Sequence, residues 1–223
     1  MQSSVITSQD EMLELLHHAS EAGLKSVVRT LNFGDRIQID ATPHYYVIDH
    51  PHIFQEIAGM DTDEFPFEAI RDVFPGPTED RSLDDILQDR IVMCRQEGKE
   101  FGDETAYWLE GTPYRFEELP FSKAVERRVG VCFERSVLLQ LKLQTLMKSF
   151  ILIGKYESSK RSDGHAYNAV WRNGQLKLAD ARISPSKPNM LPFAGIDISD
   201  GRIIIPEYNG VYTIDGLSKA LSR

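Results

Sequence analysis

Three residues in the second half of the chain have the types and order of a thiol-dependent acyl-transfer site: Cys132, His165 and Asp180. A cysteine attacks a carbonyl carbon as its thiolate, and a histidine can take the thiol proton and return it to the leaving group. An aspartate can hold the imidazole in one tautomer and stabilise its charged form. Each residue alone has a simpler interpretation, since free cysteine is among the most buried residue types. The positions of the three residues on the predicted helix and strands decide between these interpretations.

The cysteine lies at the start of a predicted helix. The stretch "GVCFERSVLLQLKL", from Gly130 to Leu143, has apolar residues at helical spacing. The positive end of a helix dipole favours a thiolate over a thiol, and the glycine before Cys132 permits a tight turn into the helix. The sequence therefore places Cys132 where a nucleophile is favoured.

A predicted hairpin brings the other two residues together. The stretches "GHAYNAVW" and "QLKLAD" are typical of strands, and Asn173-Gly174 between them is a strong signal for a two-residue turn. Arms of roughly seven residues on each side would put His165 and Asp180 opposite one another at the open end of the hairpin. "FILIGKY" predicts a further buried strand before them.

This pattern resembles the core of the transglutaminase-like superfamily, which shares a papain-like Cys-His-Asp fold. The resemblance covers residues 129–184 and rests on Gly130 and Cys132, on His165 to Asn168, and on Asp180 followed by Ala181. It implies a catalytic helix packed on an antiparallel sheet. It also implies that Cys132 is the nucleophile, that His165 is the acid and base, and that Asp180 orients the histidine.

The chain departs from the family pattern at several positions. Tyr167 stands where the family often has tryptophan, and Leu176 and Leu178 stand where it often has an aromatic residue. Glu126 occupies the position of the papain-type glutamine, and an ionised carboxylate cannot donate a hydrogen bond to an oxyanion. The backbone N–H of Cys132 would then need a second donor. By the resemblance, an aromatic donor from an upstream loop is expected, and the candidates are Trp108, Tyr107 and Tyr114.

The resemblance implies attack on an amide and a thioester intermediate. With water as acceptor the enzyme would be a cysteine peptidase or a glutamine deamidase, and with an amine it would be a transglutaminase. The expected substrate is a protein or peptide that contains glutamine or another amide. Two alternatives stay open: an arylamine N-acetyltransferase-like enzyme, which "RRVGVCFE" resembles apart from Val129, and a non-catalytic transglutaminase-like binding module.

Composition limits the function classes. The chain has 223 residues and a formal net charge of −9, which argues against a general nucleic-acid binder. No apolar run is long enough to span a bilayer, so no membrane partner is expected. Two cysteines and no secretory signal pattern predict the cytoplasm, or delivery into a host or target cell without a cleaved signal peptide. The group His44, His50 and His52 lacks further ligands at a metal-site spacing, so neither a metal nor a cofactor is expected. The oligomeric state is left open.

The predicted fold class is α+β, a papain-like or transglutaminase-like core with an N-terminal α/β extension. "FPGPTED", from Phe74 to Asp80, is the strongest break and divides the chain into an extension at residues 1–75, of open role, and a catalytic core at residues 76–223. A capping box at Ser8 and Glu11 predicts the first helix. Two strands around a turn near Pro43 and a short helix around residues 117–126 are also expected.

Overall fold

The computed structural model describes residues 4–38, 45–49, 118–121, 132–144, 146–159, 161–180, 190–206 and 208–220. In these residues the chain is a mixed α+β structure with a mostly antiparallel sheet, which confirms the predicted class at that level. The chain divides into two compact units. The first consists of Met1–Leu31 and Arg135–Arg223, and the second of Asn32–Glu134.

The described helices and strands follow one another along the chain. They are β1 (Val5–Ile6), α1 (Gln9–Glu21), β2 (Val27–Val28), β3 (Arg36–Gln38), β4 (Tyr45–Val47), β5 (Glu118–Pro120), α2 (Cys132–Leu143), β6 (Ser149–Ser158), β7 (Arg161–Arg172), β8 (Gln175–Ala179), β9 (Leu191–Pro192), β10 (Gly195–Asp197), β11 (Arg202–Ile204), β12 (Val211–Ile214) and α3 (Leu217–Ala220). In the described residues, every helix is too short or too polar to cross a lipid bilayer.

The first unit is built on one large sheet with the strand order β1-β10-β11-β12-β6-β7-β8-β9. The longest pairing joins β6 and β7, from Ser149 opposite Val170 to Ser158 opposite Arg161. The other edge of β6 is shared: β2 pairs with it at Leu152, and β12 pairs with it from Gly154 onward. Because both faces of these central strands carry buried apolar residues, the sheet lies in the core of the unit.

The first helix begins as the sequence predicts. Ser8 is the N-cap of α1, and its side-chain oxygen accepts a hydrogen bond from the Glu11 N–H at 3.4 Å. The buried face of α1 consists of Met12, Leu13, Leu15, Leu16 and Ala19. The helix packs against β2, β8 and β10, so the first 31 residues are part of the large unit.

A tight turn fixes the hairpin of β7 and β8. Arg172 pairs with Gln175, and the two turn residues between them both have positive φ angles, 55° at Asn173 and 71° at Gly174. These are the backbone angles of a type I′ turn, whose twist matches that of the flanking strands. The predicted hairpin is therefore confirmed.

Two glutamines hold α2 against the rest of the first unit. Gln140 is fully buried and donates to the carbonyl oxygens of Ser149, at 3.1 Å, and of Arg29. One turn later, Gln144 makes both backbone hydrogen bonds with Leu31, at 3.0 and 2.9 Å. These bonds connect the helix to β6 and to the segment after β2, and they fix its position along its own axis.

The second unit contains a small described sheet of β3, β4 and β5. The two strands expected around Pro43 are confirmed as an antiparallel pair, with Ile37 opposite Tyr46. The helix expected around residues 117–126 is wrong for Glu118–Pro120, which form β5 parallel to β4. Strand pairing with a segment far along the chain decides this stretch, and Pro120 is a poor helix-interior residue. The boundary predicted between residues 75 and 76 lies outside the described residues and stays a prediction.

Candidate active site

His165 and Asp180 form a buried hydrogen-bonded pair. His165 Nε2 lies 2.8 Å from Asp180 Oδ2, and each residue is only 3% exposed. A buried carboxylate without a donor or a counter-charge costs several kcal/mol, so such a pair has to be geometrically well made. The contact that the hairpin predicts is therefore present, and it is shielded from water.

The strand register shows how the two side chains meet. The last pair of β7 and β8 is Asn168 with Ala179, so Asp180 follows at the position beside Tyr167. His165 lies two residues before Tyr167 on the same face of β7, and such diagonal neighbours are within reach of long side chains. The expectation of directly opposite residues is wrong in this detail, because the turn closes at Arg172 and Gln175 and makes the arms unequal.

The pair defines the tautomer of the histidine. An ionised carboxylate only accepts hydrogen bonds, so the ring proton of His165 lies on Nε2, and this N–H donates a hydrogen bond to Asp180. Nδ1 is then the basic nitrogen of the neutral ring. A ring held in this way can accept a proton at Nδ1, and the adjacent carboxylate stabilises the resulting imidazolium.

A second donor holds the same carboxylate. The hydroxyl of Tyr212 donates to Asp180 Oδ2 at 2.7 Å. Burial raises the pKa of Tyr212 far above its ordinary value, and the charge of Asp180 raises it further. The hydroxyl of Tyr212 is therefore protonated, and a donor, at any physiological pH.

Tyrosine rings enclose the imidazole. The ring centroid of His165 lies 5.9 Å from that of Tyr167 and 6.1 Å from those of Tyr156 and Tyr212. The hydroxyl of Tyr167 donates to the carbonyl oxygen of Thr213 at 2.9 Å. Burial also raises the pKa of Tyr167, with a further contribution from Asp180. The carboxylate therefore lies in surroundings of neutral, protonated phenols.

Cys132 is the first residue of α2, as the sequence predicts, and its thiol is half-buried and not in a disulfide. It belongs to the second compact unit, whereas His165 and Asp180 belong to the first. The combination of all three residues in one triad stays a prediction. The oxyanion candidates Trp108, Tyr107 and Tyr114, together with Glu126 and Cys94, lie outside the described residues.

The strand that carries His165 also contacts α2. The Asn168 side-chain NH₂ donates to the carbonyl oxygen of Ser136 at 3.0 Å, and Asn168 is fully buried. The register of β7 with β6 is continuous from residue 161 to 170, so the alternation of side chains is unbroken. His165 and Asn168 consequently point to opposite faces of the sheet.

Tyr212 is the residue of this site that sequence analysis did not find. It lies on β12, in "VYTI", far along the chain from both members of the pair. Strand alternation in that segment predicts a buried tyrosine but gives no signal for its partner. The contact with Asp180 depends on strand pairing across the sheet, which on β6 places Tyr212 beside Tyr156.

No protein-family model, no curated protein and no solved structure matches the chain. Within the described segments, no three potential metal ligands among histidine, cysteine, aspartate and glutamate converge on one point.

Proposed function

We propose that this protein is a thiol-dependent acyl-transfer enzyme that acts on amide bonds, with Cys132 as nucleophile, His165 as acid and base, and Asp180 as orienting residue. The observation that carries the proposal is the buried contact of 2.8 Å between His165 Nε2 and Asp180 Oδ2. It leaves Nδ1 as the basic nitrogen, which is the state a general base requires. The class of substrate is a protein or peptide with a glutamine or another reactive amide.

The proposed fold is a papain-like, transglutaminase-like core. A helix that begins at its cysteine supports this proposal, as does an antiparallel sheet whose neighbouring strands β7 and β8 provide a histidine and an aspartate. The long pairing of β6 with β7 supplies the rigid strand on which the histidine lies.

The proposed reaction consists of two acyl transfers, first to Cys132 and then from Cys132 to water or an amine. Nδ1 of His165 takes the thiol proton of Cys132, and the thiolate adds to the amide carbonyl carbon. The tetrahedral intermediate collapses when the imidazolium returns the proton to the leaving amine or ammonia, and a thioester remains. Water or an amine then attacks the thioester while His165 takes its proton. The tetrahedral intermediate releases the carboxylic acid or the new amide, and the imidazolium returns the proton to the Cys132 thiolate.

A second candidate is a non-catalytic binding module of the same fold. One observation favours it: Asn168, which contacts α2, and His165 point to opposite faces of β7. Catalysis requires the thiol of Cys132 to meet the imidazole, whereas a binding module does not. The two candidates make opposite predictions for the reactivity of Cys132.

The first experiment measures that reactivity. Native protein is treated with iodoacetamide at mildly acidic pH, and alkylation of each cysteine is followed by peptide mass spectrometry, with Cys94 and a free-thiol standard as references. We expect Cys132 to react about tenfold faster than either reference, because in the proposed triad Nδ1 of His165 takes the thiol proton. In the His165→Gln variant this advantage should disappear. Equal rates for the two cysteines in the wild type would favour the binding module.

The second experiment identifies the reaction. A lysate is incubated with the wild type or with Cys132→Ala, and its proteins are compared by mass spectrometry. Conversion of glutamine to glutamate means deamidation, new chain termini mean proteolysis, and glutamine–amine crosslinks mean transamidation. Incubation with acetyl-coenzyme A tests the acetyltransferase alternative, since a stable acetyl group on Cys132 would replace amide-directed chemistry as the proposal. Identical lysates would contradict an enzyme acting on proteins.

A further inference from the structure

We propose that Tyr212 is a positioning residue of this site: its hydroxyl fixes the Asp180 carboxylate in the orientation in which Oδ2 accepts the His165 Nε2–H. The inference deepens the proposed function and rests on it for its catalytic meaning. The contacts themselves belong to the first unit alone, so they can be tested without a substrate.

One oxygen of Asp180 is a shared hydrogen-bond acceptor. Tyr212 and His165 donate to the same oxygen, Asp180 Oδ2, at 2.7 and 2.8 Å. Tyr212 lies on β12 and Asp180 follows β8, so the hydroxyl reaches the carboxylate across the strands that lie between them. A second donor on a different strand restricts the rotation of the Asp180 carboxylate more than the bond with His165 alone. Burial of all three side chains makes each bond stronger than it would be in water.

The phenol is part of a longer row of hydroxyls. Tyr212 is also hydrogen-bonded to Tyr208, and Tyr208 is hydrogen-bonded to Tyr156. The one proton of the Tyr212 hydroxyl is donated to Asp180, so this hydroxyl can only accept a hydrogen bond from Tyr208. Neighbouring hydrogen bonds of this kind strengthen one another.

The row has a predictable effect on the imidazole. A hydrogen bond from Tyr212 withdraws charge from Asp180, so the carboxylate stabilises the imidazolium of His165 less than an unbonded one would. The groups that face the ring include Tyr156 from β6, Tyr167 from β7, Tyr212 from β12, and Asp180 after β8. Removal of one hydroxyl therefore changes the titration in a direction that depends on where that hydroxyl points.

The test compares two buried tyrosines that differ in this one respect. Tyr212→Phe loses the hydroxyl on Asp180, whereas the control Tyr167→Phe loses a hydroxyl bonded to the backbone of Thr213. The imidazole of His165 is titrated by NMR in histidine-labelled protein, and its signal is assigned by its loss in His165→Gln. We expect the midpoint to rise by about 0.5 pH unit or more in Tyr212→Phe and by less than about 0.2 in the control. Tyr208→Phe should give a smaller rise in the same direction.

A second variant at residue 212 distinguishes a change in the hydrogen bond from a loss of stability. Site-specific 3-fluorotyrosine at position 212 keeps the ring and the hydroxyl but makes the phenol a stronger donor, so the midpoint should fall. A structural role for Tyr212 would change the urea midpoint but would not give shifts of opposite sign for the two variants. Equal midpoints in Tyr212→Phe and Tyr167→Phe, or shifts of the same sign in both position-212 variants, would overturn the proposal. Slow alkylation of Cys132 would instead refute the proposed function and leave the positioning role intact.

Discussion

Gly154 lies so close to the backbone of Thr213 that a Cβ added to the glycine would be 1.6 Å from the Thr213 carbonyl oxygen. Gly154 is also the cross-strand partner of His165 and of Ile214, so this close approach lies directly beside the candidate site. The absence of a side chain at residue 154 is what lets β12, and with it Tyr212, approach β6.

We expect Gly154→Ala to destabilise the protein by about 3 kcal/mol or more, because the methyl group meets backbone atoms that cannot rotate away. Gly164→Ala is a matched control, since Gly164 pairs with Lys155 on the same two strands and a Cβ there has no neighbour within 4 Å. The control should change the free energy of unfolding by less than about 1 kcal/mol. Urea denaturation measures both, and similar losses in the two variants would contradict the close approach.

Asp180→Asn tests the role of the carboxylate. The amide keeps the size of the side chain but removes its charge, so it no longer stabilises an imidazolium at His165. We expect alkylation of Cys132 at mildly acidic pH to slow about tenfold, by iodoacetamide kinetics with peptide mass spectrometry. Asp200→Asn is the control, because Asp200 is exposed and accepts a hydrogen bond from the Arg202 N–H that an amide oxygen can still accept. Unchanged kinetics in Asp180→Asn would count against a triad.

Asn168→Ala tests the link between β7 and α2. The substitution removes the donor to the Ser136 carbonyl oxygen and leaves a small cavity at a fully buried position. We expect a loss of about 1–3 kcal/mol in the free energy of unfolding. The exposed Asn209→Ala should change it by less than about 0.5 kcal/mol. If the two variants had equal urea midpoints, the hydrogen bond would contribute nothing measurable.

The buried tyrosines predict a loss of stability at alkaline pH. The folded-state pKa values of Tyr167 and Tyr212 lie above the ordinary value of 10.0. The contribution of these two protonated phenols to the free energy of unfolding is therefore fully present below about pH 10. Above that pH the unfolded chain releases these protons while the folded chain keeps them. Each tyrosine should then lower the free energy of unfolding by about 1.4 kcal/mol per pH unit.

Urea denaturation between about pH 9 and pH 11 measures this slope. The matched variant is Tyr167→Phe, whose slope should be shallower by a difference that approaches one proton toward about pH 11, because the variant has one phenol fewer to titrate. An identical slope in the variant and the wild type would show that the Tyr167 phenol titrates alike in both states. That result would contradict its burial.

The features that the sequence predicts correctly are local ones. The N-cap at Ser8 depends on a hydrogen bond between residues three apart, and the turn at Asn173-Gly174 depends on two residues that tolerate positive φ angles. Local chemistry of this kind holds wherever the segment lies in the fold. The contact of His165 with Asp180 also follows, because one short turn joins the two strands.

The features that sequence analysis missed depend on distant partners. Val27–Val28 is too short to show strand periodicity, and it becomes β2 only because β6 offers an edge. Glu118 and Leu119 are good helix formers, but Glu118–Pro120 becomes β5 through pairing with β4. Tyr212 belongs to the same class, since its contact with Asp180 requires three strand pairings, β12 with β6, β6 with β7, and β7 with β8. No periodicity within one segment encodes such contacts.

The pairing of β1 with β10 has a consequence for how the chain folds during synthesis. Val5 is hydrogen-bonded beside Asp197, and Val27 lies opposite Leu152. During synthesis β1 therefore has no partner until β10 has been made, and β2 has none until β6 has been made, and closing such long loops is slow. We expect the large sheet to assemble late and in one step, with the early strands exposed to chaperones until their partners emerge.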